Sequence, residues 1–262
     1  MSKKYCIAKG VSSCAGCGLE LAIRHVMKVL GKDTIIIIPP GCAALFSGFG
    51  NETTMTIPGF QGNLENTASY AAGVRTGLDR QGKKNINVLA FAGDGATVDI
   101  GLQSLSGVLE RNERIIYICY DNEAYMNTGG QRSGSTPLGA ATTTTPGGKT
   151  TSKKDMLSIV AAHNINYVAS ASVGNIPDLE KKVQKASRCE GTAYIQIHTP
   201  CPTGWGFASS KTITIAEEAI ECGAWELFEI ENNVKRISYE PQKNNDTDYN
   251  TLQKRFSKKQ IN

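Results

Sequence analysis

Two oxygen-bearing side chains stand 28 positions apart (122 − 94) in this 262-residue sequence, each in glycine-rich company. Asp94 lies in FAGDGATVDIG and Asn122 opens the run NEAYMNTGG. Between them the chain reads as a strand, a Gly-Asp-Gly turn, a helix and the apolar strand RIIYICY. In a βαβ unit both positions fall at the C-terminal ends of parallel strands, the edge where open α/β sheets bind ligands. Asp94 offers a hard carboxylate and Asn122 a neutral amide oxygen. A small cation such as Mg²⁺ takes a few such oxygens together with phosphate oxygens and needs no full protein cage. Gly93 and Gly95 let the backbone approach an anion closely. The pattern suits a metal-bound diphosphate.

A second constellation is built of sulfur. Four of the eight cysteines fall in loops: Cys14 and Cys17 as C-A-G-C at the start of a helix, Cys42 just past a strand end, and Cys201 just past another. Four thiolates hold either a tetrahedral zinc or a [4Fe–4S] cluster. A zinc ribbon shows two close C-x-x-C pairs; here the third and fourth cysteines are single and distant, which favours a cluster assembled from scattered loops. The placement also resembles a thioredoxin-type redox pair, but no suitable strand precedes it. Cys6, Cys119, Cys189 and Cys222 read as packing or surface thiols.

These residues need a frame. Leu19, Ile23, Val26, Met27 and Leu30 recur at helical spacing, and Gly31 stops them. Thr34–Ile38 is a β-branched run that suits a buried parallel strand. Residues 43–63 read as a long loop. Leu64–Leu78 reads as a helix whose small residues (Ala68, Ala71, Ala72, Gly73) suit close packing against another chain. Asn87–Ala92 is a strand, Asp99–Arg111 a helix and Arg114–Tyr120 a strand. The span 121–152 has neither period, and a loop of that length carries function. A helix (Lys153–His163), strand (Tyr167–Ser170), helix (Ile176–Arg188) and strand (Thr192–His198) follow. A short helix near Ile215–Cys222 and two apolar segments, Trp225–Ile230 and Val234–Tyr239, finish the fold. The alternation predicts a doubly wound, mostly parallel α/β sheet. Residues 1–240 are expected to form one domain, and the polar, lysine-rich stretch 241–262 a flexible tail.

Composition excludes some classes. The net charge of +4 is small and the basic residues are scattered, which argues against nucleic acid as partner. No apolar run approaches a membrane span, and MSKKYCIAKG lacks the apolar core of a signal peptide. The expected location is the cytoplasm.

The pieces SCAGCGLE, PPGCAAL, GDGATVDIG, DNEAYMNTGGQ and HTPCPTGW resemble, in the same order, the thiamine diphosphate-binding β subunit of 2-oxoacid:ferredoxin oxidoreductases. Thiamine diphosphate enzymes usually carry Asn-Asn in the second half of the motif; Asp121-Asn122 departs from that. The resemblance implies that Cys14, Cys17, Cys42 and Cys201 carry a [4Fe–4S] cluster. It implies that Asp94, Asn122 and the backbone oxygen of Ala124 hold Mg²⁺. It sets Asn127, the expected catalytic residue, near the reactive end of the cofactor, and places Cys42, Gly93, Gly95 and Thr128 around it. The implied reaction is the coenzyme A-dependent oxidative decarboxylation of a 2-oxoacid, pyruvate first and 2-oxoisovalerate as the alternative, with electrons leaving singly toward ferredoxin. A non-oxidative thiamine decarboxylase would leave the loop cysteines without a task, and a zinc-stapled binding module would leave Asp94 and Asn122 without one. The carboxylate that activates thiamine belongs to a separate pyrimidine-binding domain, so the resemblance implies partners: a pyrimidine-binding α subunit, a γ subunit and a ferredoxin-like δ subunit. Of the remaining polar candidates, Glu20 and His25 read as surface groups and His198 as a strand end or a hydrogen-bond partner of the cluster. Arg75 and Arg132 are weak candidates for a phosphate or carboxylate.

Overall fold

In the computed structural model, residues 6–47, 53–242 and 246–257 are described. Strands β1 (Thr34–Ile38), β2 (Gly59–Gln61), β3 (Asn87–Gly93), β4 (Ile116–Asp121), β5 (Tyr167–Ser172), β6 (Ala193–His198), β7 (Leu227–Glu231) and β8 (Val234–Tyr239) form one sheet in the order β2-β1-β3-β4-β6-β5-β7-β8. All pairings are parallel up to β5; β7 and β8 join antiparallel. The expected doubly wound, mostly parallel sheet is present.

Successive side chains of each strand face opposite sides of the sheet, and two cores result. Ile36, Ile38, Leu89, Phe91, Ile118 and Ile195 pack under α1 (Gly18–Leu30) and α6 (Ile176–Ala186). Ile37, Val88, Ala90, Tyr117, Cys119 and Tyr194 pack under α3 (Thr67–Arg80), α4 (Leu102–Glu110) and α5 (Met156–Ala161). The apolar stripe read in the first helix, Leu19 to Leu30, is buried as a whole. Each such side chain contributes about 1.5–3 kcal/mol.

The small residues of α3 take a different part from the one expected. Ala68, Ala71 and Ala72 are buried inside the chain, in the same core as Leu105 and Val108 of α4. Short side chains let the helix sit close to its own sheet at these three positions, while Gly73 is exposed. The loop 43–63 holds a turn of helix, α2 (Ala44–Ser47), and the edge strand β2, whose register runs from Ile36 opposite Gly59 to Ile38 opposite Gln61. Three residues leave too little period to read in sequence. The helix expected from Asp99 is preceded by a π-helical turn, Gly95–Asp99, starting one residue after Asp94; such turns are often found at functional positions.

A third core joins α7 (Pro202–Trp205) and α8 (Thr212–Glu221) to the C-terminal end: Trp205, Ile215, Ile220, Trp225, Leu227 and Tyr249. Tyr249 belongs to α9 (Asp246–Thr251). Within the stretch expected to be a flexible tail, three of the described side chains are buried, Tyr249, Gln253 and Arg255, while Leu252 and Lys254 between them are exposed. Its polar composition hid three side chains that make specific buried contacts.

Candidate functional site

Four adjacent parallel strands, β1, β3, β4 and β6, end on one edge. They deliver Cys42, Asp94, Asn122 and Cys201 there within a few residues of their last positions. Two cavities open on that rim.

The smaller, about 110 Å³, is lined by Gly93, Asp94, Gly95, Asn122, Ala124, Asn127 and Thr128 together with Cys42 and Tyr120. Asp94 is buried. One carboxylate oxygen accepts from the Ser133 hydroxyl at 2.5 Å. The terminal amide atom of Asn122 lies 3.2 Å from the other, Oδ1, and 2.8 Å from the Ala124 carbonyl oxygen. Turned as nitrogen, that atom donates to both. Turned as oxygen, it completes three converging oxygens with no donor among them, the donor set a hard cation takes. Burial, reinforced by the charge of Asp121, pushes the Asp94 carboxyl well above the ordinary range. A divalent cation would reverse that, so the residues fit magnesium. Gly95 has no Cβ because the Tyr125 ring fills the space, 2.3 Å from where one would stand, and the Tyr125 hydroxyl donates to Gly95 O at 3.1 Å.

Under this pocket lies a charged floor. Asp121 accepts from Gln196 Nε2 at 2.6 Å, from the Ser135 hydroxyl at 2.9 Å and from the Glu123 N–H at 2.9 Å. It also pairs with Lys153 at 3.0 Å. Lys153 reaches Glu123 at 3.1 Å, and Arg255 meets the same carboxylate at 2.5 Å. Burial alone would raise the Glu123 pKa, but Lys153 and Arg255 outweigh it and hold the group at about 2. Burial would lower that of Lys153; Asp121 and Glu123 raise it instead. The Asp at position 121 therefore anchors the turn from below, with one of its oxygens on the backbone of Glu123, whose φ is +65°. This is the physical content of the departure from Asn-Asn.

The larger cavity, about 500 Å³, is lined by Cys14, Cys17, Cys42 and Cys201. Cys42, Asn122, Met126 and Asn127 line both cavities, so the two share a wall. Burial pushes the Cys17 thiol up to about 11, with Cys201 and Cys14 adding to it. Burial, Cys201 and Cys17 push Cys42 up to about 12. Burial also raises Cys201, against the Gly204 N–H that lies 3.3 Å from its sulfur. Raised pKa values keep Cys17, Cys42 and Cys201 protonated unless a cation offsets the cost of burying thiolates. Among the described residues no three His, Cys, Asp or Glu side chains converge tightly enough for a single metal ion. A polynuclear cluster gives each thiolate its own iron and so tolerates a wider spacing of sulfurs than a single zinc does.

Close approach brings the C-A-G-C loop here. A Cβ on Gly16 (φ +72°) would stand 2.1 Å from Ser209 O, and one on Gly18 2.9 Å from Pro200 O. The loop thus presses on the segment that leads into Cys201, and the Thr212 hydroxyl, which donates to Gly16 O at 2.5 Å, fastens it.

The other candidates make packing or surface contacts. His198 stacks on Trp225 at 4.6 Å, and its ring nitrogens face the hydroxyls of Ser172 and Tyr249, 3.5 Å each; burial pushes its pKa down to about 3. Arg75 is buried against the carbonyls of Ile86 and Lys83, far from any ligand role. Arg132 is exposed. Glu20 pairs with Arg24 and His25 with Glu180 on the surface of α1. Ser133, Glu123, Lys153 and Arg255 escaped the sequence reading. The SKKD run around Lys153 was a visible signal; nothing in sequence marked Arg255.

Comparison with known proteins gives a consistent set. The family described as thiamine pyrophosphate enzyme, C-terminal TPP binding domain, matches residues 40–197. Pyruvate synthase subunit PorB of Methanothermobacter marburgensis is 50% identical over 256 residues, covering 95% of this chain and 89% of that protein. PorB of Methanocaldococcus jannaschii is 46% identical over 262 residues, covering 95% and 88%. Ketoisovalerate oxidoreductase subunit VorB of Pyrococcus furiosus is 43% identical over 239 residues, covering 87% and 77%. Among solved structures, 2-oxoglutarate:ferredoxin oxidoreductase from Magnetococcus marinus superposes with a TM-score of 0.67 at 23% identity, over 78% of this chain and 69% of that one; at that identity the likeness speaks for the fold.

Proposed function

The chain belongs to the thiamine pyrophosphate enzymes, in the branch of the PorB and VorB subunits, and from that premise we propose that it is the thiamine diphosphate-binding subunit of a 2-oxoacid:ferredoxin oxidoreductase that forms acyl-coenzyme A and CO₂, with pyruvate as substrate. The observation that carries the reading is the shared wall. A cavity edged by the Asp94 carboxylate, the Asn122 amide and the Ala124 carbonyl and a cavity edged by four cysteines meet at Cys42, Asn122, Met126 and Asn127.

When bound, thiamine diphosphate supplies an electron sink for decarboxylation and a [4Fe–4S] cluster supplies a one-electron acceptor. The protein's part is to hold and orient. Asp94, Asn122 and the Ala124 carbonyl would ligate magnesium. Gly93 and Gly95 would admit the diphosphate against the backbone, with Thr128 at the pocket wall. Asn127, common to both cavities, would face the reacting end. Cys14, Cys17, Cys42 and Cys201 would ligate the iron.

Pyruvate is preferred to 2-oxoisovalerate because identity to PorB subunits reaches 50% against 44% for VorB. The reading brings partners with it: a pyrimidine-binding subunit that completes the cofactor site, a γ subunit, a ferredoxin-like subunit, coenzyme A and ferredoxin, all in the cytoplasm. No described helix is long and apolar enough to cross a membrane. The test is anaerobic reconstitution of the complex with iron, sulfide, magnesium and thiamine diphosphate, followed by a 2-oxoacid panel. Ferredoxin reduction with pyruvate, and its loss in Asp94→Asn and Cys201→Ser, are expected. A colourless protein with no dependence on thiamine diphosphate would overturn the reading; faster turnover with 2-oxoisovalerate would replace pyruvate.

A further inference from the structure

Trp205 lines the larger cavity and is bonded to the turn that lines the smaller. It closes α7, whose N-cap is Cys201, and its backbone N–H returns to Cys201 O at 2.9 Å. Its indole N–H donates to Asn122 O at 2.8 Å, and the residue is fully buried. The segment that carries a cysteine of the larger cavity is thereby bonded to the turn that carries an oxygen of the smaller one.

The face of that indole is occupied by the guanidinium of Arg255, whose central carbon is 3.7 Å from the ring centroid. The same guanidinium pairs with Glu123, the residue after Asn122. Gln253 orients it by accepting from Nε at 2.8 Å, and the Arg255 carbonyl accepts from Ala141 N at 2.7 Å, tying in the long loop as well. Asn122, Trp205, Arg255 and Glu123 form a closed circuit. Two corners belong to the smaller cavity's turn, one to the cysteine loop and one to the C-terminal segment.

We propose that Arg255 is a positioning residue, a brace that locks Trp205 against the Asn122 turn and so fixes the spacing between the cysteine cavity and the oxygen set. The inference rests on the reading of those cavities as cluster and cofactor sites. Arginine suits the task and lysine does not: its planar fork stacks on an aromatic face while pairing with a carboxylate at its edge. Removing the brace leaves Glu123 buried with Lys153 as its remaining cationic partner and frees one face of Trp205. A displacement of about 1 Å between reacting parts costs on the order of 100-fold in rate.

The test uses the assembled, anaerobically reconstituted complex with Arg255→Lys and, separately, Trp205→Phe, which keeps a ring for the guanidinium but removes the donor to Asn122. Thiamine diphosphate affinity is read by equilibrium dialysis, the reduced cluster by its electron paramagnetic resonance line shape, and stability by thermal melting. Both variants should weaken thiamine diphosphate binding roughly 3- to 10-fold and alter the line shape, with kcat falling further than the KM for the 2-oxoacid changes. Wild-type affinity and line shape in both variants, even with a lower melting temperature, would make Arg255 a structural residue and end the proposal. A wild-type complex that binds no thiamine diphosphate and shows no reduced-cluster signal would fell the reading of the two sites, and the brace with it. Should one variant fail to fold, the other decides.

Discussion

Asp94 answers two opposed demands. Its carboxylate must be charged to hold magnesium, yet it is buried and lies within the field of Asp121. A carboxyl whose folded pKa is raised gives stability below its unfolded value of about 3.9, and that stability is lost as pH rises through the folded value. At neutral pH, without a cation, the charged form therefore costs the fold something. Asp94→Asn should accordingly raise the melting temperature of the cofactor-free chain while abolishing the rise that magnesium and thiamine diphosphate give the wild type, about 2.7 kcal/mol at a hundredfold excess over Kd. A variant that melts lower than wild type without cofactor, or is still stabilised by it, would refute the ligand assignment. Glu123 and His198 have the opposite sign. Both have lowered folded pKa values, about 2 and about 3, against unfolded values of about 4.3 and 6.5. Stability should be full above pH ~6.5, decline as His198 is asked to charge, and fall further below pH ~4.3 as the Glu123 ion pairs are titrated. Glu123→Gln should be less stable at neutral pH and lose the lower limb of that curve in a calorimetric pH series; an unchanged lower limb would mean the ion pairs contribute nothing. At this scale the sequence exposed the residues that would meet ligands, because glycines and a C-x-x-C mark them. It concealed Arg255, since an arginine in a polar stretch carries no local sign of the tryptophan it will cover.

The elements repeat that lesson at larger size. β1, β3, β4, β5 and β6 were legible to within a residue or two, because strands buried on both faces read as largely apolar runs. β2, α2 and α7 were not, because three- and four-residue elements exist through their neighbours: β2 is a strand only by pairing with Ile36–Ile38. The C-x-x-C was read, but not what presses it into place. Gly18 supplies that, since a Cβ there would stand 2.9 Å from Pro200 O and 3.0 Å from Thr199 C, both backbone atoms. Gly18→Ala should cost about 1–3 kcal/mol as overpacking and reduce iron bound per chain, because Cys14 and Cys17 are pushed off the segment that leads to Cys201. Gly73→Ala is the contrasting case. Gly73 is an exposed position inside α3 with nothing within 4 Å of the missing Cβ, so that change should stabilise the chain by about 0.5–1 kcal/mol and leave iron content alone. Thermal melts and iron assays on both variants separate the two; equal iron content would remove Gly18 from the account.

For the whole molecule, the proposed reading makes the rim half of a site. Apolar side chains stand exposed on segments that flank it: Leu45 three residues past Cys42, Ile100 directly after the π-helical turn, and Leu138, 60% exposed, in the loop that supplies Ser133 and Ser135. A large apolar side chain left in water forgoes about 1.5–3 kcal/mol that burial would return, and grouping such residues around a ligand edge is the arrangement expected where a second protein closes the site. On the proposed reading that protein is the pyrimidine-binding subunit. Ile100→Glu and Leu138→Glu should then leave the isolated chain folded, with wild-type melting temperature and iron content, because both side chains already face water. Each should prevent co-elution with the pyrimidine-binding subunit on gel filtration and abolish 2-oxoacid oxidation in the mixture. On the same reading the isolated wild-type chain should be inactive, since the carboxylate that activates thiamine would come from the partner. Intact co-elution of both variants would move the interface elsewhere on the surface, and 2-oxoacid oxidation by the single chain would show that the rim needs no partner.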